Sequence, residues 1–422
     1  MGNWNMAGKT LAEKIFSRTS GTESRAGDYV FATPDLIYMH DVLGPLAIDS
    51  LVKMGLTRPN YRGKIIFVFD HIFPPKDAAS ANNILTMKKF AINLDIEVIR
   101  EGEGIEHTLL VENGSIAPGM FVIGTDSHTV TAGGVGAMGI GMGSTDIAAT
   151  MALGQNWFRV PETIRTTLQG KLGRFVSGKD VVLELLKILG PDGANYKSIE
   201  ISGPAMPAIG VDQRLAISNM TVEAGAKCGI IVADQVISSY YNEMNIHPNI
   251  ETPDEDARYE RKIGIDLSIL TPKISAPYSP ANVHDVGEFS GTRIDLAYLG
   301  NCANGTISDL REAAQILKGN SVAKHTKLII VPASRKIFKM ALDEGLIKIF
   351  SDSGAIIAPS TCGACAGLHM GVLGKGETAI TNTNRNFRGR MGDPESQVFL
   401  ANSFVVALSA LEGHITNPEE SM

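Results

Sequence analysis

Residues 293–317 read RIDLAYLGNCANGTISDLREAAQIL. The apolar run up to Gly300 predicts a strand, and the pattern of apolar and polar residues from Ser308 predicts a helix. Between them, Cys302 lies among Gly and Asn residues, which are typical of a tight loop. The order of strand, polar loop and helix is repeated along the chain and therefore predicts an α/β fold with parallel sheets.

The same order appears at several other places. It predicts strands at 64–71, 97–99, 120–124 and 327–332, and helices at 81–94, 146–154, 181–189 and 335–344. Ser144 or Thr145 is the expected N-cap of the second of these helices. Two stretches with a less regular pattern, 160–173 and 249–279, are candidate domain boundaries. The second is rich in Pro, Asp and Glu and resembles an exposed connection. The two stretches predict three α/β domains, at 1–162, 163–278 and 279–422.

Bulk composition limits the class of protein. At 422 residues the chain is long enough for two or three domains. Its hydrophobic content of 44% and charged content of 20% are typical of a globular protein, and the net charge of −7 argues against nucleic acid as the main partner. No segment approaches the roughly 20 apolar residues of a membrane span. Four cysteines in this length suit a reducing compartment, so we expect a cytoplasmic enzyme.

Three cysteines, Cys302, Cys362 and Cys365, lie in two Gly-containing loops. Three thiolates can hold a cubane iron–sulfur cluster by three of its irons, which leaves the fourth iron without a protein thiolate. Such an iron binds water or substrate and acts as a Lewis acid. A zinc half-site, a redox dithiol and two buried thiols are alternatives for the Cys-x-x-Cys pair. Cys228 lies in a mostly apolar run and is expected to be a buried small hydrophobic residue.

Titratable residues follow the strand-like runs. Asp70 and His71 come after one run, and Asp126, Ser127 and His128 come after another. Ligands of open α/β sheets bind outside the carboxyl ends of the strands, so we expect these loops and the two cysteine loops to converge. An aspartate held beside an imidazole fixes its tautomer and raises its basicity, which suits proton transfer.

Other features admit both a functional and a structural interpretation. His107 is a third candidate imidazole, and Glu223 is either a site carboxylate or a helix-surface residue. The loop 381–392 combines Asn and Arg side chains that suit carboxylate binding, although a solvated basic loop around Arg388 would look the same. Residues 134–139 fit G-x-G-x-x-G, but a polar stretch precedes them and the acidic Glu162 after them is poorly placed, so close loop packing is favoured over a nucleotide site.

Taken together, these segments closely resemble the aconitase superfamily, and most of all the large subunits of its two-chain hydro-lyases. The resemblance covers nearly the whole chain. The segments that carry it are 39–41, 70–71, 104–107, 124–129, 218–226, 300–305, 361–367 and 384–390. It implies three α/β domains around an iron–sulfur cluster, without the C-terminal swivel domain of the single-chain members.

The resemblance also implies a role for individual residues. One 4Fe–4S cluster is expected on Cys302, Cys362 and Cys365, with one iron not ligated by a protein thiolate and with contacts from Asn219 and Asn384. The expected acid–base residues are Asp70, His71, His107, Asp126, His128 and Glu223, and the expected substrate-binding residues are His40, Ser127, Arg385 and Arg390. The implied chemistry is the reversible dehydration of a hydroxy-di- or tricarboxylate, followed by rehydration at the neighbouring carbon.

A substrate and a partner are implied as well. 3-Isopropylmalate, of leucine biosynthesis, is the first substrate to expect, because its dehydratase is the commonest bearer of this architecture. The alternative substrates are 2-methylmalate, 2,3-dimethylmalate and the substrate of homoaconitase. In single-chain aconitases a Gly-Ser-Ser-Arg-Glu loop of the swivel domain brings the serine base, and this sequence has nothing like it. We therefore expect a small swivel-domain subunit that supplies the serine base and the specificity loop, in a heterodimer or heterotetramer. We expect no nucleic-acid or membrane partner, and an isolated chain without activity.

Two loops depart from the pattern usual in the family. The first reads Asn-Cys-Ala-Asn-Gly-Thr at 301–306, where Ser-Cys-Thr-Asn-Gly-Arg is usual, and the second reads Cys-Gly-Ala-Cys-Ala at 362–366, where Cys-Gly-Pro-Cys-Leu is common. Both keep the thiols, so the cluster is still expected, while the fine substrate preference is left open. A non-catalytic RNA-binding relative and a zinc-structured binding module are alternatives from other classes. The acidic charge balance argues against the first of them.

Overall fold

Three larger β-sheets, a two-stranded ribbon and their connecting helices form the computed structural model, which describes residues 8–94, 96–248 and 250–421. Most neighbouring strands are parallel, so the predicted α/β class is confirmed. The strands in these ranges are β1 (Tyr29–Ala32), β2 (Leu36–His40), β3 (Lys64–Val68), β4 (Glu97–Val98), β5 (Phe121–Gly124), β6 (Met138–Gly141), β7 (Asn156–Arg159), β8 (Thr163–Gln169), β9 (Ser198–Ser202), β10 (Cys228–Ile231), β11 (Arg261–Asp266), β12 (Lys273–Ser275), β13 (Val283–Asp285), β14 (Leu296–Gly300), β15 (Lys327–Val331), β16 (Ile356–Ile357), β17 (Thr378–Thr381) and β18 (Gln397–Ala401).

The α-helices in the same ranges connect and cover the strands. They are α1 (Leu11–Ser20), α2 (Gly44–Lys53), α3 (Ala78–Leu94), α4 (Glu106–Glu112), α5 (Ser144–Leu153), α6 (Gly178–Leu189), α7 (Val211–Asn219), α8 (Gln235–Asn242), α9 (Ile307–Leu317), α10 (Arg335–Asp343), α11 (Leu346–Asp352), α12 (Ser403–Glu412) and α13 (Pro418–Ser421). Short 3₁₀ helices occupy Ser127–Val135, Met206–Ala208, Met220–Ala224, Leu267–Ile269, Val286–Phe289 and Gly363–Ala366. None of the helices within the described ranges is long and apolar enough to span a membrane.

The first sheet has the strand order β4-β3-β2-β5-β6, and all its neighbouring strands are parallel. Strands β2 and β5 are buried along their whole length. Parallel strands are commonly covered on both faces, which explains why these two are continuous apolar runs in the sequence. The carboxyl ends of β2, β3 and β5 share one edge of the sheet. They bring His40, the Asp70–His71 pair and Asp126 to that edge.

The second and third sheets lie later in the chain. The second, β10-β9-β8-β11, is parallel throughout. The third has the order β13-β12-β18-β17-β14-β15-β16 and is parallel from β18 to β16, while β12 is antiparallel to β13 and to β18. Cys302 follows β14, Cys362 and Cys365 follow β16, and Asn384 follows β17. The two cysteine loops therefore share one edge of one sheet.

Some predicted elements end elsewhere in the structure. The strand predicted at 64–71 stops at Val68, so the two titratable residues after it lie in a loop. The helix predicted at 146–154 begins at Ser144, and its N-cap is Gly143 in an extended conformation. The prediction of Ser144 or Thr145 as the cap was wrong, because both already lie in the first helical turn.

The two stretches predicted as soft boundaries contain strands. Strand β8 lies within 160–173 and is an interior strand of the second sheet, between β9 and β11. Strand β11, within 249–279, pairs with β8 along its whole length, so the prediction of an exposed connection was wrong there. The Pro, Asp and Glu residues that suggested a connection are concentrated before β11, at 253–256. Asn249 lies outside the described residues, and the domain boundaries at 162 and 278 stay a prediction.

Glycines at 133–139 let the first and second sheets approach each other closely. A Cβ atom on Gly133 would lie 1.5 Å from the carbonyl oxygen of Gly229 in β10, and one on Gly134 would lie 2.8 Å from the Cα atom of Leu215 in α7. The segment leads into strand β6 and not into a helix, so it lacks the geometry of a dinucleotide loop. The close-packing interpretation of this segment is confirmed.

Arg214 fixes α7, the helix that ends at Asn219. Its side chain is fully buried and forms a bidentate ion pair with Asp234, with N···O distances of 2.8 and 2.7 Å. The guanidinium also donates to the carbonyl oxygens of Ile209 and Met206, at 2.8 and 2.6 Å. Because Asp234 is the N-cap of α8, one guanidinium links two helices and the turn before α7.

We predict that Arg214→Met lowers the free energy of unfolding by about 3 kcal/mol, because it leaves the Asp234 carboxylate and two carbonyl groups without their donor. Lys348→Met is the matched control, since it removes an exposed ion pair with Asp352. For that change we expect no loss beyond the error of the measurement. Chemical denaturation of both variants gives the difference, and equal losses would contradict the role assigned to Arg214.

Candidate active site between the sheet edges

A cavity of about 250 Å³ lies between loops of the first and third sheets. Nine of the residues predicted for the site line it, together with Ile105 and Asn301, which were not predicted. The nine are His71, His107, Asp126, His128, Cys302, Cys362, Cys365, Asn384 and Arg390. The loops after the strands therefore converge, as expected from their shared position at carboxyl ends.

The three thiols are buried around this cavity. Cys362 precedes the single 3₁₀ turn Gly363–Ala366, which contains Cys365. Cys302 follows Asn301, whose φ of 90° is tolerated better by Asn than by most residues. Asn301 links the two loops, since its Nδ2 donates to the carbonyl oxygen of Cys362 at 3.4 Å and its Oδ1 accepts from the backbone N–H of Cys302.

Two buried amide side chains direct N–H groups at a cysteine sulfur. Asn219 Nδ2 lies 3.4 Å from Cys302 Sγ, and Asn384 Nδ2 lies 3.5 Å from the same atom. Asn384 also donates to Asn219 Oδ1 at 3.0 Å, and its own Oδ1 lies 3.3 Å from Cys365 Sγ. N–H donors to sulfur stabilise thiolates and tune iron–sulfur clusters. Three thiols that share one cavity, one of which receives two such donors, therefore fit an iron–sulfur cluster better than a set of inert buried thiols.

Asp126 is the centre of the titratable network. Its Oδ1 lies 3.1 Å from His107 Nε2 and 3.1 Å from His128 Nδ1, and its Oδ2 lies 3.5 Å from His71 Nε2. Burial by itself raises the pKa of Asp126, but the hydrogen bonds from the three imidazoles outweigh it and hold the pKa well below its usual value. The carboxylate is therefore charged at neutral pH and orients three imidazoles.

The Asp70–His71 pair joins this network to a cysteine loop. Asp70 Oδ1 lies 2.7 Å from His71 Nδ1, so the predicted acid–imidazole contact is present. The backbone carbonyl of Asp70 accepts from the Cys362 N–H and from the Thr361 hydroxyl, each at 2.8 Å. Burial raises the pKa of Asp70, but the charge of His71 and its hydrogen bond more than compensate and lower it. The acid–base loop of the first sheet is thus fixed directly to the thiol loop of the third.

Glu223 is a second acidic partner of His128. Its Oε1 lies 3.2 Å from His128 Nε2 and accepts from Arg385 Nε at 2.7 Å. The Glu223 side chain is only 2% exposed, so the interpretation as a helix-surface residue was wrong. The residue lies in the 3₁₀ helix that follows α7 and turns toward the cavity. Burial raises the pKa of Glu223, but the hydrogen bond from His128 and the charge of Arg385 lower it below its usual value.

Two predicted substrate-binding residues each have a buried polar atom without a hydrogen-bond partner among the described residues. His40 stacks on His71 with ring centroids 3.9 Å apart, and its Nδ1 accepts from the Val42 N–H at 3.2 Å. Burial and the neighbouring His71 lower the pKa of His40 to about 3, so the ring is neutral and carries its hydrogen on Nε2. Within the described ranges, His40 Nε2 and Arg390 Nε are buried without a hydrogen-bond partner. Such donors are available to an oxygen atom of a ligand.

The structure adds residues that the sequence analysis missed. Glu106 is fully buried 3.7 Å from His107 Nε2, and neither of its carboxyl oxygens has a partner in the part of the chain described. Burial raises the pKa of Glu106 well above its usual value, so it is a neutral acid. Asp41 accepts from two backbone N–H groups, at 3.1 and 3.2 Å, in the loop that starts at His71. The Tyr38 hydroxyl lies 2.9 Å from His107 Nδ1. The position of Glu106 beside a candidate imidazole was a signal that could have identified it.

Other singled-out residues lie beside the cavity or away from it. Ser127 is half-buried at the start of the 3₁₀ helix that Asp126 caps. Arg388 is exposed and stacks over Tyr278 at 4.5 Å, as a residue of a solvated basic loop would. Cys228 is fully buried in β10, and burial raises its pKa to about 11, as expected of an inert small hydrophobic residue.

The arrangement combines two kinds of chemistry in one cavity. Thiols and amides on one side can hold an iron–sulfur cluster, and imidazoles with fixed carboxylates on the other side can donate and accept protons. A molecule bound between them would be polarised and protonated at the same place. The geometry therefore suits an elimination or addition of water assisted by a metal centre.

Comparison with known proteins supports one family. The aconitase family (aconitate hydratase) matches the chain at residues 13–291 and 286–413. The 3-isopropylmalate dehydratase large subunit 2 of Rubrobacter xylanophilus is 46% identical over 414 residues, which cover 97% of either chain. The 3-isopropylmalate dehydratase large subunit of Campylobacter hominis is 45% identical over 416 residues, covering 97% of this chain and 99% of the relative. That of a Sulfurovum species is 44% identical over 424 residues, covering 98% of this chain and 100% of the relative. Because these matches extend over nearly the whole sequence, the chain belongs to the aconitase family.

Proposed function

We propose that the chain is the large, catalytic subunit of a 3-isopropylmalate dehydratase, a hydro-lyase of leucine biosynthesis that dehydrates and rehydrates a hydroxy-dicarboxylate. Relatives with this name match the chain at 43 to 46% identity over nearly their whole length. The observation that carries the proposal is the cavity in which three thiols face three imidazoles held on one carboxylate. Thiols alone would suit a structural metal site, but the combination suits metal-assisted dehydration.

Membership of the aconitase family implies a 4Fe–4S cluster, which Cys302, Cys362 and Cys365 would hold. One iron of this cluster would lack a protein thiolate and supply a Lewis acid for the hydroxyl of the substrate. Asn219 and Asn384 would donate hydrogen bonds to the sulfur atoms of the site, as their contacts with Cys302 Sγ suggest.

Dehydration needs a proton for the departing hydroxyl and a base for the carbon-bound hydrogen. His71 is the best placed donor, because it lies between the carboxylates of Asp70 and Asp126. Burial lowers the pKa of His71, but the negative charges at Cys362 and Asp70 outweigh it and raise the pKa well above its usual value. Asp126 would hold His71 and the other two imidazoles in the tautomers that proton transfer requires.

Neutral and positive donors would bind the carboxylates and hydroxyl of the substrate. Arg390 offers its Nε, which has no hydrogen-bond partner in the described part of the chain, and Arg385 offers its terminal nitrogens while its Nε stays on Glu223. His40 would donate from Nε2, and its low pKa keeps this donor neutral across the physiological range. The Ser127 hydroxyl, next to Asp126, would add a further contact.

The name "large subunit" in the relatives implies a small-subunit partner and a small-molecule substrate, and we extend both to this chain. The partner would be a swivel-domain subunit that supplies the serine base and the specificity loop, in a heterodimer or heterotetramer. The complex would work in the reducing cytoplasm, because the chain's cysteines are free thiols.

The test is an anaerobic assay of the chain with its candidate small subunit after reconstitution with iron and sulfide. The absorbance of the unsaturated product is followed on 3-isopropylmalate, homocitrate, 2-methylmalate, 2,3-dimethylmalate and citrate. We expect turnover of 3-isopropylmalate that disappears when either chain is left out. Preference for another of these acids would identify that acid as the substrate in place of 3-isopropylmalate. Turnover by the chain alone would contradict the role of the partner. No turnover by a cluster-loaded complex would overturn the hydro-lyase assignment.

We predict that Cys365→Ser abolishes cluster uptake and activity, because a serine hydroxyl is a poor replacement for a thiolate ligand of iron. Cys228→Ser is the matched control, since it changes another buried cysteine that lies outside the cavity. Iron and acid-labile sulfide per chain are measured after reconstitution. Similar iron contents in the two variants would contradict the ligand assignment.

We predict that Asp126→Asn lowers kcat by about 10²- to 10⁴-fold while the cluster content is maintained, because a neutral amide cannot accept hydrogen bonds from three imidazoles as the carboxylate does. Asp266→Asn is the matched control. Asp266 also accepts an N–H bond at the start of a 3₁₀ helix, from Ser268 at 2.9 Å, but it lies outside the cavity. Steady-state kinetics compare the two variants, and equal effects would attribute the loss to helix capping alone.

A further inference from the structure

Lys179 has an unusual environment for a lysine. It is the second residue of α6, and its side chain is fully buried. Its Nζ donates to the backbone carbonyls of Asn382, at 3.1 Å, and of Thr383, and it lies 3.1 Å from Met220 Sδ. Within the described ranges these are its side-chain hydrogen-bond partners, and none of them is a carboxylate.

Lys273 shows what a buried lysine usually needs. It is 7% exposed, forms an ion pair with Asp285 at 2.6 Å and lies 3.7 Å from Glu184. A buried ammonium without such a partner loses hydration that neutral carbonyls replace only in part. Another negative group near Lys179 is therefore needed to balance its charge.

The thiols of the cavity are placed to provide that balance. Burial lowers the pKa of Lys179 to about 8, and among the groups that oppose this lowering the negative charge of Cys365 has the largest effect, followed by those of Asp309 and Asp180. Cys302 acts in the same direction. Lys179 is therefore charged at neutral pH.

Lys179 also fixes the peptide group that precedes the Asn384 side chain. The carbonyl of Thr383 accepts from Lys179, and the N–H of Asn384 belongs to the same planar trans peptide, so it points in the opposite direction. The Asn384 side chain reaches two of the thiols, with its Oδ1 3.3 Å from Cys365 Sγ and its Nδ2 3.5 Å from Cys302 Sγ. The bond from Lys179 therefore fixes the backbone from which the Asn384 side chain reaches both sulfur atoms.

We propose that Lys179 is a positioning residue for the cluster: its buried ammonium fixes the backbone at 382–383, from which the Asn384 side chain reaches the sulfur atoms, and its charge opposes that of the thiolates. The inference rests on the proposed cluster and assigns Lys179 no contact with substrate. The potential of an iron–sulfur cluster depends on net charge and on hydrogen bonds to sulfur. Loss of this cation therefore disfavours the reduced, more negative cluster.

The test uses the reconstituted complex with Lys179→Met, Lys179→Gln and Lys179→Arg, and Lys273→Met as the matched control for the loss of a buried lysine. We expect both neutral Lys179 variants to shift the reduction potential of the cluster to more negative values and to lose iron to a chelator about 10- to 100-fold faster. The Gln variant keeps a donor for the carbonyls, so it remains measurable if the Met variant does not fold. Lys179→Arg keeps the positive charge, so we expect it to keep the wild-type reduction potential. For Lys273→Met we expect the wild-type reduction potential and the wild-type rate of iron loss.

The outcomes separate this inference from the proposed function. A wild-type complex that takes up no iron and sulfide would overturn the cluster and the role of Lys179 together. A loaded wild type with neutral Lys179 variants that match Lys273→Met in potential and iron loss would overturn the role of Lys179 alone. An equal fall in thermal stability of Lys179→Met and Lys273→Met, without a change in potential, would have the same meaning, because it describes a lysine that supports only the fold.

Discussion

Three imidazoles share the one carboxylate of Asp126, and this constraint decides where most other residues of the site must lie. A buried carboxylate stays charged only when donors surround it. The donors come from separate parts of the chain, namely the loop after β3, helix α4 and the 3₁₀ helix after β5. Neighbouring parallel strands end at the same edge of a sheet, and this edge brings the three segments to the two oxygens of one side chain. The fold of the first sheet is thus a requirement of the acid–base network.

The thiol side of the cavity is tied to the acid–base side by backbone groups. The carbonyl of Asp70 holds the Cys362 loop, and the Thr108 hydroxyl donates to the carbonyl of Cys302 at 3.3 Å. Asn219 at the end of α7 and Asn384 after β17 both lie within hydrogen-bonding distance of the sulfur of Cys302. Proton transfer and cluster binding both depend on positions held to a few tenths of an ångström. Since the three sheets each contribute to these bonds, a shift of one sheet would disturb both functions at once.

Features that depend on the local sequence pattern were predicted correctly. Features were missed where the burial of a residue depends on segments that are distant in the sequence. Buried parallel strands are uninterrupted apolar runs, so Asp70, Asp126 and Cys302 could be placed at strand ends before the structure was known. Lys179 and Lys187 lie in the same helix, yet the first is fully buried and the second is exposed, because only the first faces the loop after β17. Glu223 was open to a surface interpretation for the same reason, since Arg385, which pairs with it, comes from the third sheet. The stretch 160–173 looked irregular in the sequence although it contains strand β8, because one partner of that strand, β11, is supplied about a hundred residues later.

A side chain at Gly133 would overlap backbone atoms of β10 and one at Gly134 would overlap those of α7, and backbone atoms cannot move aside by changing rotamer. Both glycines lie in the 3₁₀ helix that Asp126 caps, so a substitution there would displace the carboxylate together with the helix. Under random drift this short stretch is therefore a point of low mutational tolerance, although it carries no functional group of its own. Directed evolution that starts from this chain has to accept the glycines as fixed and seek its variation at loop tips such as Phe387, which faces solvent.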